Sequence, residues 1–278
     1  MKIAYCLTGL VDSESETILG LNDVSDRIEV DFFCHTWDDP KNPGKSIIDN
    51  YPFAAIKTSP YKEFEEHILS LPNIETLYKK ANSGKDIHHF VRTHLAQFYS
   101  TIHCIQLALD HGARHPDGYD LLIKARSNLR FEKGLASAFP KNAETNIVPV
   151  LKREPRAWYH FQQPDSDDRP NTIWDNWPEC IQDVSTVFSP SFTFPLWQYG
   201  APFLDSLFGM EPKFAKEHIL HEDFLINIID KFIYFADNID TLAMEADKVW
   251  FKYLMDNRVA IFGLPLDIWM TREKKIII

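Results

Sequence analysis

Cysteine is scarce in this sequence. Only four occur in 278 residues, none of them in a C-x-x-C pair: Cys6, Cys34, Cys104 and Cys180. Zinc knuckles need closely spaced cysteines and disulfide scaffolds need many of them, so neither class of protein fits. We expect reduced thiols inside a cell.

Long apolar runs are missing as well. No segment approaches the roughly 20 continuous apolar residues that a membrane-spanning helix needs. The first apolar stretch, Met1 to Leu7, is too short for a secretory signal and is interpreted as a first β-strand. The sequence therefore predicts a cytoplasmic protein with no transmembrane segment.

Positive charge is in deficit, and three common motifs are absent. Lys and Arg number 29 against 40 Asp and Glu, a net charge of −11. Affinity for DNA or RNA comes largely from cations that neutralise phosphates, so nucleic acid is not an expected partner. The sequence has no P-loop, no G-x-G-x-x-G turn and no G-x-S-x-G elbow. The usual motifs of P-loop proteins, dinucleotide-binding proteins and serine hydrolases are therefore absent.

The first half does contain short apolar runs that alternate with long amphipathic segments. This alternation is typical of a mostly parallel sheet flanked by helices, so the predicted fold class is α/β. The expected strands are Lys2 to Thr8, Ile28 to Cys34, Ala54 to Lys57 and Tyr119 to Lys124.

The strongest helical pattern runs from about Asp86 to His111, with apolar residues every three or four positions. A capping box at Ser13 and Glu16 predicts an earlier helix. The proline-punctuated stretch 140–195 is interpreted as ligand-facing loops. Later expectations are helices at Phe203 to Phe208, Ala215 to Phe232 and Glu245 to Met255, and a strand at Val259 to Phe262.

The segment YDLLIKARSNLRF ends a buried strand in polar residues, Lys124, Arg126 and Asn128. In open α/β sheets ligands bind beyond the carboxyl ends of the strands. A guanidinium at such a position can hold a diphosphate through two hydrogen bonds. The alternative is an ordinary strand edge on which Arg126 pairs with a carboxylate.

Four segments together resemble a group of bacterial and viral glycosyltransferase-like proteins of the GT-A fold: KIAYCLTG, VDFFCHTWDD, QFYSTIHCIQLAL and YDLLIKARSNLRF. Members of that group carry D-x-F-x-H-T-W and a YD-strand that ends in R-x-D-L-x-F. The resemblance implies a GT-A-like, Rossmann-like sheet in a single domain over 1–278. Residues 1–131 would form its nucleotide-binding half and residues 132–278 its acceptor-side half.

The resemblance also implies where a nucleotide sugar binds. The turn Thr8-Gly9-Leu10 would lie against the nucleobase, since glycine lets a ligand approach the backbone closely. Trp37 would stack on the base and Asp38 would accept hydrogen bonds from base or ribose, although Trp37 packed in the core is an equal alternative. Lys124, Arg126 and Asn128 complete the predicted donor site.

Asp223 and Glu222 are the candidate catalytic residues. Their segment, HILHEDF, resembles the x-E-D motif whose carboxylate deprotonates the acceptor in inverting transfer, so inversion is favoured over retention. Acids at a helix start are also favoured by the helix dipole without any function. The H-x-x-H-E spacing of His218 to Glu222 is not that of a known zinc motif.

Asn128 puts metal dependence in doubt. It occupies the place of the D-x-D acid with which many GT-A enzymes hold Mn²⁺ or Mg²⁺, and an amide is a poorer ligand than a carboxylate. No metal ligand is therefore assigned. From residue 124 to residue 169 nine cations outnumber six acids, a local charge of +3 that suits a diphosphate bound without metal, and equally an ordinary solvated surface.

The prediction is a glycosyltransferase that moves a sugar from a nucleotide-sugar donor to a glycan or glycoconjugate acceptor, as in polysaccharide biosynthesis. One alternative is a catalytically silent GT-A-like module that binds glycan or a partner protein, favoured by Asn128. Another is a peripheral enzyme at the inner face of a membrane, suggested by the basic-then-apolar tail Arg272 to Ile278.

Overall fold

The computed structural model describes residues 2–9, 29–38, 51–81, 87–116, 118–126, 186–190, 207–238, 246–257 and 259–264. These residues form one seven-stranded sheet with helices packed on it. The helix predicted from Ser13, the loops predicted between 140 and 185, the tail from Arg272 and the residues Leu10 and Asn128 lie outside the described part.

The first four strands are short apolar segments, β1 (Lys2–Thr8), β2 (Glu29–Trp37), β3 (Ala55–Ser59) and β4 (Leu121–Arg126). They pair in parallel, with β1 between β2 and β4 and with β3 on the far side of β2. All four agree with the predicted strands. Three of them run further than predicted, β2 past Cys34 to Trp37, β3 past Lys57 to Ser59 and β4 past Lys124 to Arg126.

Three later strands complete the sheet: β5 (Thr186–Pro190), β6 (Leu207–Met210) and β7 (Ala260–Leu264). The strand order is β3-β2-β1-β4-β6-β5-β7. Strand β6 is antiparallel to both of its neighbours, whereas β5 and β7 are parallel. The predicted fold class, an α/β protein with a mostly parallel central sheet flanked by helices, is confirmed.

The helix predicted from Phe203 to Phe208 is wrong at its described end. Leu207 and Phe208 open strand β6, whose backbone pairs with β4 so that Leu207 lies opposite Ala125. Four apolar residues within six positions fit a helical face and a buried strand equally well. The tertiary pairing with β4, which local spacing does not encode, decides between them.

Helices α1 (Tyr61–Ser70) and α2 (Ile74–Ala81) pack against α3 (Ile87–Gly112), which lies on one face of the parallel strands. The long helix α3 confirms the prediction of Asp86 to His111 within one residue at each end. Helices α1 and α2 were not predicted, because each buries only a few side chains, among them Phe64, Ile68 and Leu77, between charged residues.

Helix α3 lies close to the sheet because one row of its residues is small. Every fourth position from 96 to 108 is buried and small: Ala96, Ser100, Cys104 and Ala108. Residues four apart lie on one face of a helix, so this row lets the helix backbone approach the strands. The Cys104 thiol lies 3.4 Å from the carbonyl oxygen of Leu7 in β1. Ser100 reaches the end of the same strand.

The C-terminal helices are α4 (Pro212–Phe214), a π-helical turn (Ala215–Ile219), α5 (Phe224–Asn238) and α6 (Ala246–Asp256). The single helix predicted from Ala215 to Phe232 is thus interrupted at residues 220–223. The Leu220 N–H bonds five residues back to Ala215, which widens the turn and ends it. The ring of Phe224 then enters the core, 6.2 Å from Phe98 and 5.4 Å from Trp250.

Candidate functional site at the carboxyl edge of the parallel strands

The carboxyl ends of β1, β2 and β4 meet at one edge of the sheet. Thr8, at the end of β1, lies opposite His35 of β2 on one side and Arg126 of β4 on the other. Polar side chains that are buried among the described residues concentrate at this edge: Thr8, His35, Thr36, Ser59 and Ser100. Buried polar groups need partners, and four of these five side chains form hydrogen bonds here, while the Thr36 hydroxyl has no partner among the described residues.

The turn after β1 is fixed on both sides. The Thr8 hydroxyl donates to the carbonyl oxygen of Ala125 in β4, 3.2 Å away. Gly9 has φ of 107°, a backbone conformation that side chains with a Cβ rarely adopt. Its N–H is shared between the carbonyl oxygen of His35 and the hydroxyl of Ser100, each at 3.2 Å. Glycine is therefore required here by the backbone itself.

His35 is the centre of a hydrogen-bond network beneath this turn. Its Nδ1 lies 2.8 Å from Ser100 Oγ and its Nε2 lies 3.1 Å from Ser59 Oγ. The Ser100 hydroxyl also lies 3.3 Å from the His35 carbonyl oxygen. Every group is satisfied when Nδ1 donates to Ser100, Ser100 donates to that carbonyl, and the Ser59 hydroxyl donates to Nε2.

The imidazole of His35 is neutral. Burial, followed by the neighbouring His103 and Lys57, lowers its pKa to about 3. The ring of His103 stacks on it with centroids 5.1 Å apart. Burial lowers the pKa of His103 to about 4, and Lys57, whose Nζ donates to His103 Nδ1 at 2.8 Å, adds to this shift. Both histidines therefore act as uncharged hydrogen-bonding groups at neutral pH.

Trp37 lies in the core, at 6% exposure. Its ring contacts four other rings with centroids 5.2 to 5.8 Å away, those of His35, Tyr61, Phe64 and Tyr99. This placement matches the core alternative for Trp37, and base stacking by this ring stays a prediction. Asp38 is exposed at the end of β2, where its backbone N–H donates to the Ser59 carbonyl oxygen at 2.9 Å.

The two described cations of β4 differ in depth. Arg126 ends the strand and is half-buried beside Thr8. Lys124 lies two residues below the edge and is 1% exposed, with its Nζ 5.6 Å from the centre of the Phe208 ring. Arg126 is therefore the better placed of the two for a ligand at the edge, whereas Lys124 lies inside the protein.

Glu222 and Asp223 are exposed in the turn before α5. The Asp223 N–H donates to Nδ1 of His221 at 3.3 Å, and its carboxylate lies 3.8 Å from the same nitrogen. Within the described ranges no hydrogen bond or ion pair joins either acid to the strand-end residues. The described part thus brings Thr8, Gly9 and Arg126 of the predicted donor site together and places Trp37 and Lys124 in the interior. The predicted catalytic acids lie on a separate turn.

No group of three His, Cys, Asp or Glu side chains that could hold a metal ion occurs among the described residues. The described cysteines, Cys6, Cys34 and Cys104, are free and buried. Burial raises the pKa of Cys34 to about 12, which keeps that thiol protonated.

Sequence reasoning missed the roles of His35 and Ser100. Both residues lie in segments that the sequence singles out, VDFFCHTW and QFYSTIHC. The sequence contains one indication of the role of Ser100, which is its place in a row of small residues four positions apart on a long helix. Nothing local indicates that this row faces the end of β1.

Comparison with known proteins finds no family model that matches the chain and no similar curated protein. Among solved structures, the apo form of mouse xyloside xylosyltransferase 1 is similar, with 8% sequence identity and a TM-score of 0.41. That match covers 95% of this chain and 84% of the other. Within the described residues, no helix is both long and apolar enough to cross a membrane.

Proposed function

We propose that this chain transfers a sugar from a nucleotide-sugar donor to a glycan or glycoconjugate acceptor. The observation that carries the proposal is the pairing of Thr8 with Arg126, which sets a glycine turn beside a guanidinium at the carboxyl edge of adjacent parallel strands. Ligands of open α/β sheets bind at such edges. The sequence resemblance to GT-A-fold glycosyltransferases supports the same assignment.

Each strand end takes one part of the donor. The backbone of the turn at Thr8 and Gly9 lies against the nucleobase, and the exposed Asp38 accepts hydrogen bonds from base or ribose. Arg126 binds the diphosphate, where negative charge develops as the bond to the sugar breaks. A planar guanidinium suits this role, because it forms two parallel hydrogen bonds to phosphate oxygens.

The acceptor hydroxyl is deprotonated by Asp223 or Glu222 in this proposal, which favours inversion. Exposure of both acids suits a base that must meet a large incoming glycan. A carboxylate acts in this way when it lies within hydrogen-bond reach of the acceptor hydroxyl. Asp223→Asn, compared with Glu222→Gln, identifies the base through loss of turnover at unchanged donor affinity.

Protein cations, rather than a metal ion, counter the charge of the leaving diphosphate in this proposal. The cation-rich stretch from residue 124 to residue 169, with Arg126 at its start, supports it. Turnover is therefore expected to persist in excess EDTA. Loss of turnover with EDTA, restored by Mn²⁺, would overturn the metal-free mechanism and leave the transferase assignment standing.

Thermal shift with a panel of UDP-, GDP-, CMP- and dTDP-sugars tests the function. A donor at 100 times its dissociation constant adds about 2.7 kcal/mol to stability. Release of free sugar from the stabilising donor, measured without acceptor, then separates an enzyme from a silent binding module. Binding without any hydrolysis or transfer would favour the silent module, and no stabilisation by any donor would contradict the proposal.

A further inference from the structure

Ser100 of helix α3 connects the helix layer to the turn after β1. Its side chain is fully buried. Its hydroxyl oxygen lies 3.2 Å from the Gly9 nitrogen, 2.8 Å from His35 Nδ1 and 3.3 Å from the His35 carbonyl oxygen. A hydroxyl accepts two hydrogen bonds and donates one, so these three contacts use its full capacity.

The Ser100 hydroxyl contributes hydrogen bonds in addition to the small volume that the helix packing requires. An alanine would fit the same space in the row of small residues, but it would leave the buried Nδ1–H of the neutral His35 without its acceptor. The Gly9 N–H would keep only the His35 carbonyl oxygen, the other half of its shared hydrogen bond. Loss of the hydroxyl therefore loosens the Gly9 turn without removing the strand pairing that forms it.

The direction of these hydrogen bonds determines which backbone groups of the Gly9 turn can contact a ligand. The Gly9 N–H is directed inward to Ser100 and the His35 carbonyl oxygen, so it is not available to donate to a ligand. At φ of 107° this conformation is one among several open to a glycine. The apparent affinity of a ligand that needs one conformation is its intrinsic affinity multiplied by the fraction of molecules that adopt that conformation.

We propose that Ser100, oriented by His35, is a positioning residue for the nucleotide-binding turn, so that nucleotide affinity depends on a helix side chain that does not contact the nucleotide. This inference rests on the proposed function, because it takes the turn at Gly9 as part of the donor site. Ser100 acts through Gly9, which it holds in the binding conformation before the ligand arrives.

The helix offers a matched control at the next position. Thr101 is 1% exposed, and its hydroxyl donates to the Gln97 carbonyl oxygen within the same helix at 2.8 Å. Ser100→Ala and Thr101→Val each delete one buried hydroxyl, but only the first touches the Gly9 turn. Isothermal titration with UDP and with GDP, together with urea unfolding of each variant, measures affinity and stability separately.

Ser100→Ala is expected to weaken binding of whichever nucleotide the wild type prefers by about tenfold, equal to about 1.4 kcal/mol. Thr101→Val should change that affinity less than about twofold at similar cost in stability. Equal affinities of the wild type and Ser100→Ala would overturn the inference and leave the proposed function intact. Failure of the wild type to bind any nucleotide would contradict the proposed function itself.

Amide hydrogen exchange gives a second readout without ligand. Peptides that contain Gly9 are expected to exchange about tenfold faster in Ser100→Ala than in Thr101→Val, because only the first variant loses an acceptor of the Gly9 N–H. Equal exchange would contradict the inference. If Ser100→Ala does not fold, Ser100→Cys, which retains a weaker hydrogen-bonding group, takes its place with the same direction of change.

Discussion

The two ends of the parallel strands are held by different chemistry, although helix α3 covers both. At the amino edge, Lys2 forms ion pairs with Glu29 at 3.0 Å and with Asp31 at 3.3 Å, and Tyr119 donates to the Asp31 carboxylate at 2.6 Å. Lys2 and Asp31 are partly exposed, Glu29 is exposed and Tyr119 is buried. At the carboxyl edge, the buried and neutral His35 joins neighbouring elements through hydrogen bonds with Ser59 and Ser100.

In the proposed function the ligand binds at the carboxyl edge, and the two edges differ in how they are held together. Lys2 pairs with Glu29 and Asp31 across β1 and β2, and Tyr119, just before β4, binds Asp31, so these groups are committed to the fold. The carboxyl edge achieves the same tie with uncharged groups directed at the backbone. Arg126 ends its strand beside that network, and in the proposed function its guanidinium binds the anionic donor.

The largest expected effect is on the free energy of unfolding, and it distinguishes one glycine of each edge. Gly9→Ala should lower the free energy of unfolding by about 2 to 3 kcal/mol, because φ of 107° lies outside the left-handed region that alanine tolerates. Gly118→Ala should cost only about 1 kcal/mol, since Gly118 has φ of 59° and open space where a Cβ would stand. Urea unfolding measures both costs. Equal costs would show that the Gly9 turn adjusts freely.

The next comparison concerns one cation from each edge. Arg126→Ala should weaken nucleoside diphosphate binding by about 1.5 to 3 kcal/mol, the range for hydrogen bonds to charged groups. Lys2→Ala removes a cation committed to Glu29 and Asp31, so it should leave that affinity unchanged. Calorimetric titration with UDP and GDP measures both. Unchanged affinity in Arg126→Ala, with lower stability instead, would make Arg126 a structural residue.

A smaller effect on stability is expected when the pH is lowered. The pKa of His35 is about 3 in the folded state and about 6.5 in an unfolded chain, so between these values the unfolded state binds more protons. Stability from the neutral ring is complete above about pH 6.5 and is lost as pH falls toward 3. The stability advantage of the wild type over His35→Asn should shrink by about 2 kcal/mol from pH 7 to pH 5. An unchanged advantage in urea unfolding would show that His35 is not held neutral.

Much of this fold could be predicted from local sequence. Strand β1 has its predicted bounds, and α3 agrees within one residue at each end, because both have strong and unbroken apolar patterns. Strand β6 was missed because pairing with β4, not local spacing, determines its conformation. The break before Phe224 was missed because the apolar pattern continues across it.

The strand-end residues of the candidate site could be predicted from the sequence, but the hydrogen bonds that hold them could not. Thr8, Gly9 and Arg126 follow from the rule that ligands bind at carboxyl ends of parallel strands, and the structure brings them together. The hydrogen bonds that Ser100 Oγ accepts from Gly9 and His35 join residues that are 91 and 65 positions apart. No single segment of sequence carries contacts of that kind.

The most direct test of the central claim is a hydrogen-exchange footprint of the bound donor on the wild-type protein. Peptides that cover Thr8 to Gly9, Trp37 to Asp38 and Lys124 to Arg126 should exchange more slowly when the stabilising nucleotide sugar is bound. Peptides of the amino edge, 29–31 and 118–121, should be unchanged. Protection confined to the amino edge, or binding with no protection at the carboxyl edge, would contradict the account.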